Sequence, residues 1–431
     1  MNLHPDKNDL KSTRQRRHGL LYVAPLVILI LISACTSTQK DSALSSDHAL
    51  ILISLDGFRA DFIDRYPTPN LDRLIERGVT AEQGMIPSFP TLTFPNHFSM
   101  VTGLYPSNHG IISNTMYDEP TDSWFRISDR EAVENSMWWE GEPIWVTASE
   151  QGKTTATYFW VGSEAPIHGV QPTYWKRFDG SVPGEVRVEQ VLEWLKFSGN
   201  ERPEFIALYF EDVDSAVHRH GIDSEEAAEA VARVDSYLGL LLDGLARQGI
   251  SDVTDIIVVS DHGMSDRKPE RSIVLEDYID LSNIEAINTS PVAMLNTRDG
   301  NPTAVVKQLQ GVHPELKVYL REDVPDNLHF TGHHRIPEII AIAGDGWTIF
   351  RDRAYFEKNR SNVRGATHGY HPDLLSMRAL FVASGPSFKS GRQIEPFENV
   401  HLYPLMAHIL GLDPADTDGS LSELQSTLRV D

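Results

Sequence analysis

The sequence predicts an α/β fold built on a central, mostly parallel sheet. Strand-like apolar runs alternate with amphipathic helical stretches along the chain, the pattern of that class. Three of the runs, Ala49–Leu55, Phe205–Phe210 and Asp255–Ser260, are continuous rather than alternating, as in strands covered on both faces. Each run also leads into acids or histidine: Asp56 after the first, Glu211, Asp212 and Asp214 after the second, Asp261 and His262 after the third. In open α/β sheets the ligand sits at the carboxyl ends of the strands. One such Asp could simply cap the next helix. Three, brought from distant parts of the chain, indicate a site.

Of the 431 residues 41% are hydrophobic, which excludes a disordered chain and gives ample core. The net charge of −23 argues against a nucleic-acid partner held by its backbone phosphates. An acidic enzyme can still act on nucleotides if bound cations line its site.

Taken in order, residues 1–18 are polar and net basic, and Leu20–Ala34 is a 15-residue apolar run. That length suits a signal peptide better than a membrane span. The run ends in Ile32-Ser33-Ala34-Cys35, which resembles a bacterial lipobox and predicts a signal peptide over 1–35 with lipid on Cys35. An uncleaved anchor and ordinary cleavage are the other readings. All three place the remainder outside the cytoplasm, in the cell envelope of a bacterium if the lipobox is real. No cysteine follows Cys35, so no disulfide can form downstream of it. Residues 36–48 read as a flexible tether, 49–415 as a catalytic domain and 416–431 as a C-terminal tail.

A helix is predicted over Pro69–Arg77, with Thr68 as N-cap, Pro69 at the first helical position and Gly78 beyond the end. Another starts near Ser224, carries Val231, Val234, Leu238, Leu241, Leu242 and Leu245 on one face, and closes at Gly249. Between them, Ser88–His97 precedes a short helix that ends before Gly103. Pro95 fits its first position, which puts Thr93 at or just before an N-terminus that favours negative charge. On that segment alone Thr93 reads first as an ordinary N-cap. A metal-stabilised alkoxide would instead make it a nucleophile.

The candidate metal ligands are Asp56, Asp214, His218, Asp261, His262 and His368. Asp214 and His218 are four apart, hence on one face of a helical turn. His368 lies in Gly365-Ala366-Thr367-His368-Gly369, where the glycines allow a tight backbone. Mixed carboxylate and imidazole ligation suits Zn²⁺, with Mn²⁺ and Fe as alternatives. Six ligands exceed one tetrahedral site and nearly fill two. His109, His220 and His371 lie close enough to substitute.

The segments Ser54–Arg59, Thr93–Ile111, Asp214-x₃-His218, Ser260–Met264 and Thr367–Tyr370 together resemble the ecto-nucleotide pyrophosphatase/phosphodiesterase family, of the alkaline phosphatase superfamily. The resemblance runs from about Ala49 to about Leu412. It implies an alkaline phosphatase-like α/β/α sandwich and two zinc ions. One ion would be held by Asp56, Thr93, Asp261 and His262, the other by Asp214, His218 and His368. It also implies Thr93 as nucleophile and Asn114 as donor to a phosphate oxygen. Phe94 and Phe178 fall where the family sandwiches a nucleobase, and Trp160, Glu164 and Tyr209 match further pocket positions. Two departures stand out. Val217 replaces the usual Gly before the second-site His, and Leu92 stands where many animal members carry Lys.

The implied reaction is hydrolysis of nucleotide phosphodiester and pyrophosphate bonds to nucleoside 5′-monophosphates through a threonyl intermediate. A choline-phospholipid or glycerophosphodiester phosphodiesterase would need acids and aromatics around a quaternary ammonium. A phosphomonoesterase would favour a bidentate Arg, for which only Arg59 or Arg364 could fold inward.

Overall fold

The computed structural model describes residues 48–429. Cys35, the signal sequence and residues 36–47 lie outside the described residues. No helix among the described residues is long and apolar enough to cross a membrane.

An eight-stranded sheet forms the centre. Its strands are β1 (Ala49–Leu55), β2 (Val79–Ala81), β3 (Thr155–Tyr158), β4 (Tyr174–Lys176), β5 (Phe205–Phe210), β6 (Thr254–Val259), β7 (Phe381–Ser384) and β8 (Arg392–Ile394). They lie in the order β8-β2-β7-β6-β1-β5-β3-β4. β1 pairs in parallel with both β5 and β6, with Leu52 opposite Ala207 on one side and Ile257 on the other. β7 alone runs against its neighbours. The three apolar runs read from the sequence are thus the three adjacent strands at the middle of a mostly parallel sheet.

Every residue of β1, β5 and β6 is buried, because successive side chains feed opposite cores. Leu50, Leu52, Phe205, Ala207, Ile257 and Val259 face one core, completed by α2 (Thr93–Thr102) and α6 (Leu402–Ile409). Ile51, Ile53, Ile206, Leu208, Ile256 and Val258 face the other, completed by α1 (Pro69–Arg77), α3 (Gly184–Trp194) and α5 (Glu225–Gln248). The result is the expected α/β/α sandwich.

α5 starts and stops where its sequence signals do. Ser224 accepts from Ala227 N–H at 3.1 Å, and Gly249 takes the left-handed conformation at φ 70°. α1 departs from expectation in its capping. Thr68 occupies the N-cap position, but its hydroxyl makes no cap bond. Asp235, buried on α5, reaches across instead and accepts from Asn70 N–H (3.1 Å) and Leu71 N–H (2.9 Å). A cap supplied from 165 residues away welds α1 to α5 and leaves no local signature in the sequence.

Segment 265–360, illegible in the sequence, holds a second sheet. Strands Ile284–Asn288, Val292–Thr297, Ile339–Ala343 and Leu316–Leu320 pair antiparallel in that order. Ala293, Leu295, Ile339 and Ala341 close a small core of their own, while Met294, Ile340 and Ile342 join the main one. Residues 416–429 pack onto the sandwich, with Leu424 and Thr427 buried and Arg429 N–H donated to Ser387 O at 2.9 Å.

Beside the sandwich, strands Thr115–Asp118 and Ser123–Arg126 form a hairpin directly after Asn114. Asp118, at its tip, is buried and accepts from Arg335 Nε at 2.7 Å and pairs with His334 Nε2 at 2.7 Å. Arg335 spends its remaining donors on the carbonyls of Gly110, Trp138 and Met137. Burial opposes ionisation of Asp118, but bonds from Thr121, Arg335 and His334 outweigh it and hold the carboxyl below the ordinary carboxylate range. A depressed carboxyl contributes stability above its unfolded pKa and loses it as pH falls through the folded one. Asp118→Asn is expected to cost about 2 kcal/mol at neutral pH in urea unfolding. The difference from wild type should shrink once pH drops below about 4. A difference that stays constant down to pH 3 would contradict this role.

Candidate active site

The carboxyl ends of β1, β5 and β6 converge. Asp56 follows β1 directly, and Asp261 and His262 sit two and three residues past β6. β5 leads into α4 (Asp212–His220), whose turn from Asp214 to His218 brings His218 Nε2 within 3.2 Å of Asp214 Oδ1. His368 enters from the loop after the short strand Ala366–Thr367, with Nε2 3.8 Å from Asp214 Oδ1. Its ring stacks on His262 at 3.5 Å and 11°.

The three imidazoles are oriented alike. His218 Nδ1 faces Ala366 O, His368 Nδ1 faces Thr91 O, and His262 Nδ1 faces Gly263 O, at 2.9, 2.9 and 3.0 Å. A ring nitrogen facing a carbonyl must carry the proton, so in the neutral ring each Nε2 is a lone pair turned inward. Opposite them, Asp56 Oδ1, Asp214 Oδ1 and Asp261 Oδ2 are buried with no hydrogen-bond partner. Three orphaned carboxylate oxygens facing inward-turned imidazoles are the donor set of a divalent cation centre. Asp214, His218 and His368 form one mutually close group, and Asp56, Asp214 and His262 another.

The charges express the same strain. Burial, then the Asp261 and Asp214 carboxylates, push the Asp56 carboxyl well up. Burial also opposes charge on Asp261, but His262 and His97 outweigh it and hold that group well down. At Asp214 burial is outweighed by His218 and His368, and the carboxyl is lowered. Burial and the neighbouring His262 and His218 push His368 down to about 3, so this imidazole is neutral.

Thr93 is the first residue of α2, and its hydroxyl lies 3.4 Å from His262 Nε2. The helix begins two residues before the expected Pro95, with Leu92 in the cap position, so Thr93 does not cap it. Nor is the helix end an open nest of donors. Pro95 has no N–H, and Phe94 N–H is donated to Asn114 Oδ1 at 3.0 Å. That bond fixes the Asn114 amide with its NH₂ free to donate.

The loop ahead of Thr93 is held by Asn96, whose side chain donates to the carbonyls of Ser88, Pro90 and Leu92 and accepts from Ser88 N–H. Thr91 joins it to the His368 loop, accepting from Gly369 N–H at 2.9 Å and donating to Tyr370 O at 3.0 Å. The alternative histidines are engaged elsewhere: His109 with Ser99, His220 with Glu226, His371 beside Asp373.

Residues 50–371 match the protein family described as type I phosphodiesterase / nucleotide pyrophosphatase. The chain belongs to this family. It is 37% identical over 392 residues to ectonucleotide pyrophosphatase/phosphodiesterase family member 3 of Bos taurus, a match covering 88% of this chain and 44% of that protein. It is 36% identical over 415 residues to a venom phosphodiesterase of Macrovipera lebetinus, covering 91% of this chain and 48% of that one. The chain therefore spans less than half the length of these relatives. Murine ectonucleotide pyrophosphatase/phosphodiesterase 5, solved as an inactive variant in complex with AMP, superposes with a TM-score of 0.83 at 32% identity, covering 89% of this chain and 100% of that one.

The positions that resemblance to this family put around the nucleobase fall into two groups. Phe178 is 37% exposed, its ring set against Phe159 (5.2 Å) and Tyr209 (6.3 Å). Phe94 is half-buried against Phe125 and Trp139. The other three act from behind. Tyr209 donates its hydroxyl to Asp56 Oδ2 at 2.5 Å. Glu164 pairs with Arg130 and accepts from Phe178 N–H at 3.2 Å. Trp160 is fully buried and donates to His97 O at 3.3 Å.

His97 and Arg130 escaped the sequence reading. His97 stands one turn after Thr93, with Nδ1 2.9 Å from Thr93 O and 3.4 Å from Asp261 Oδ2, and Nε2 2.7 Å from Ser54 Oγ. Its i+4 spacing from Thr93 was the available signal.

Because Tyr209 donates to Asp56, Tyr209→Phe is expected to weaken divalent-cation binding about tenfold or more with little change in unfolding. Competition with a chromogenic chelator reads this, and unchanged affinity would remove Tyr209 from the site.

Proposed function

We propose that this chain is a zinc-dependent hydrolase that splits phosphodiester and pyrophosphate bonds of nucleotides, releasing nucleoside 5′-monophosphates through a covalent threonyl intermediate. The observation that carries the reading is the Thr93 hydroxyl at the first position of a helix, beside three orphaned buried carboxylate oxygens and inward-turned imidazoles. Asp56, Thr93, Asp261 and His262 would hold one zinc ion, and Asp214, His218 and His368 the other. Two bound divalent ions supply a lowered hydroxyl pKa and neutralisation of phosphoryl charge.

Within the protein, α2 presents Thr93 Oγ1 for in-line attack. Asn114, locked by Phe94 N–H, donates to a non-bridging oxygen as charge develops there. Phe178 offers an exposed ring face for stacking on a base. The murine relative seen with AMP supports a nucleotide as the substrate. Glu164 is committed to Arg130 and Phe178 N–H, which disfavours its use against a choline group. Arg59 is committed to Asp61 and Met264 O, and Arg364 is exposed, which disfavours a phosphomonoesterase.

On p-nitrophenyl thymidine 5′-phosphate, Thr93→Ala should lose at least ~10³-fold in turnover, in line with loss of an activated nucleophile, while retaining zinc. In the same assay Phe178→Ala should raise KM about tenfold and spare kcat. Wild-type turnover by the Thr93 variant would end this reading.

We further propose that residues 1–35 are a signal peptide, that Cys35 is lipidated, and that 36–48 tether a catalytic domain in the bacterial cell envelope; the domain runs past the expected boundary at 415, because the segment expected as a 416–431 tail packs onto the sandwich over its described residues 416–429. Mass spectrometry of the mature N-terminus is expected to find a diacylglyceryl cysteine. An unmodified terminus elsewhere would refute the anchor.

A further inference from the structure

A cavity of about 500 Å³ lies at the opposite end of the sandwich from the site. The last turns of α1 and α5, the start of β6 and the end of β7 enclose it. Strand direction fixes its place. Thr254 and Ile256 line it from the start of β6, whereas Asp261 and His262 lie past the other end of that strand. At ~3.3 Å per residue, the strand holds cavity and site about 20 Å apart.

The lining is basic. Arg73, Arg77 and Arg429, all exposed, stand against a single acid, Asp252. Arg77 has no hydrogen bond or ion pair among the described residues. Arg73 reaches only Asn70 Oδ1 at 3.3 Å and Asp243 Oδ1 at 3.7 Å. Arg429 donates Nε to Phe388 O at 2.6 Å and keeps its Nη donors. The helix dipole accounts for Arg77, in the last turn of α1, but not for Arg73 in its middle or Arg429 outside any helix. Ser384 and Ser390 add hydroxyl donors. The volume falls within the ~300–1,000 Å³ of small-ligand sites. Guanidinium forks with hydroxyls beside them suit a phosphate ester.

The chain's own path identifies the source of that phosphate. His48, the first described residue, pairs through Nε2 with Asp255 Oδ2 at 2.7 Å. Asp255 lies between the lining residues Thr254 and Ile256 and accepts from Ser387 Oγ at 2.6 Å and Ser387 N–H at 3.0 Å. The chain from Cys35 therefore arrives beside the cavity. Thirteen residues separate Cys35 from His48. They span at most ~45 Å, so a lipid on Cys35 keeps this end near its bilayer. The net charge of −23 sets the rest of the surface against an anionic membrane, and arginines at the tethered end are what such a membrane attracts.

Resting on the lipid-anchor reading above, we propose that this cavity binds the phosphodiester headgroup of an anionic glycerophospholipid in the membrane that carries the anchor. Binding there turns the far ends of the strands, with Thr93 and the three carboxylates, toward water. A lipid seated in the cavity is about 20 Å from those groups, so it orients the enzyme and is not its substrate.

The test uses full-length lipidated protein in nanodiscs of phosphatidylcholine, with or without phosphatidylglycerol. Backbone amides of 75–78, 384–391 and 427–429 should exchange hydrogen about tenfold more slowly in the phosphatidylglycerol discs. In the double variant Arg77→Glu/Arg429→Glu they should exchange alike in both discs. Its turnover of the p-nitrophenyl thymidine ester should stay within about twofold of wild type, which shows the variant is folded. Equal exchange of wild type in both discs, or protection that survives the double substitution, overturns the site. Inorganic phosphate added to phosphatidylcholine discs should protect nothing. Protection there would make this a site for free phosphate and overturn the lipid assignment. If the protein loads into neither disc, the anchor reading fails and this inference falls with it. If it loads into both, the anchor stands and the exchange data alone decide the site.

Discussion

Three carboxylates, those of Asp56, Asp214 and Asp261, lie close together, each with a buried oxygen that no donor among the described residues satisfies. Like charges so close in a low-dielectric interior repel by several kcal/mol unless something positive lies between them. Burial and its neighbours drive Asp56 toward its protonated form, while the histidines keep Asp214 and Asp261 ionised. Much of the architecture around the sheet serves to hold these groups together against that repulsion.

The sheet supplies the first means. Adjacent parallel strands put Asp56, α4 and Asp261 at one edge with no side-chain adjustment. Backbone atoms supply the second. Gly57 N–H and His262 N–H both donate to Asp261 Oδ1, while three backbone carbonyls set the histidine tautomers. Thr93 is tied into the same frame from both ends. Thr91 bonds the loop before it to the His368 loop, and His97 bonds the turn after it to β1 and lies against Asp261. A shift in any one element would therefore move the hydroxyl, the imidazoles and the carboxylates together.

The central strands were legible because a doubly covered strand is mostly apolar on both faces, and β1, β5 and β6 each carry such a run. α5 was legible because its cap, apolar stripe and terminal glycine are local and agree. The metal-facing residues were legible because strand ends and an i, i+4 pair are sequence features. Long-range interactions were not. The Asp235 cap on α1 spans 165 residues, and the antiparallel sheet over 284–343 is built of short strands, one of them bulged, split between two cores. Trp160, Tyr209 and Glu164 show the same limit. Their positions were recognised by resemblance, but the atoms they touch place them behind the pocket wall.

The account depends on cations occupying the space between these carboxylates. Anomalous diffraction at the zinc edge from crystals of metal-loaded protein tests this most directly. Two peaks should appear, one bounded by Asp56, Asp261 and His262 beside the Thr93 hydroxyl, the other by Asp214, His218 and His368. Anomalous density confined to surface histidines, with the three carboxylates unliganded in an active crystal, would contradict it.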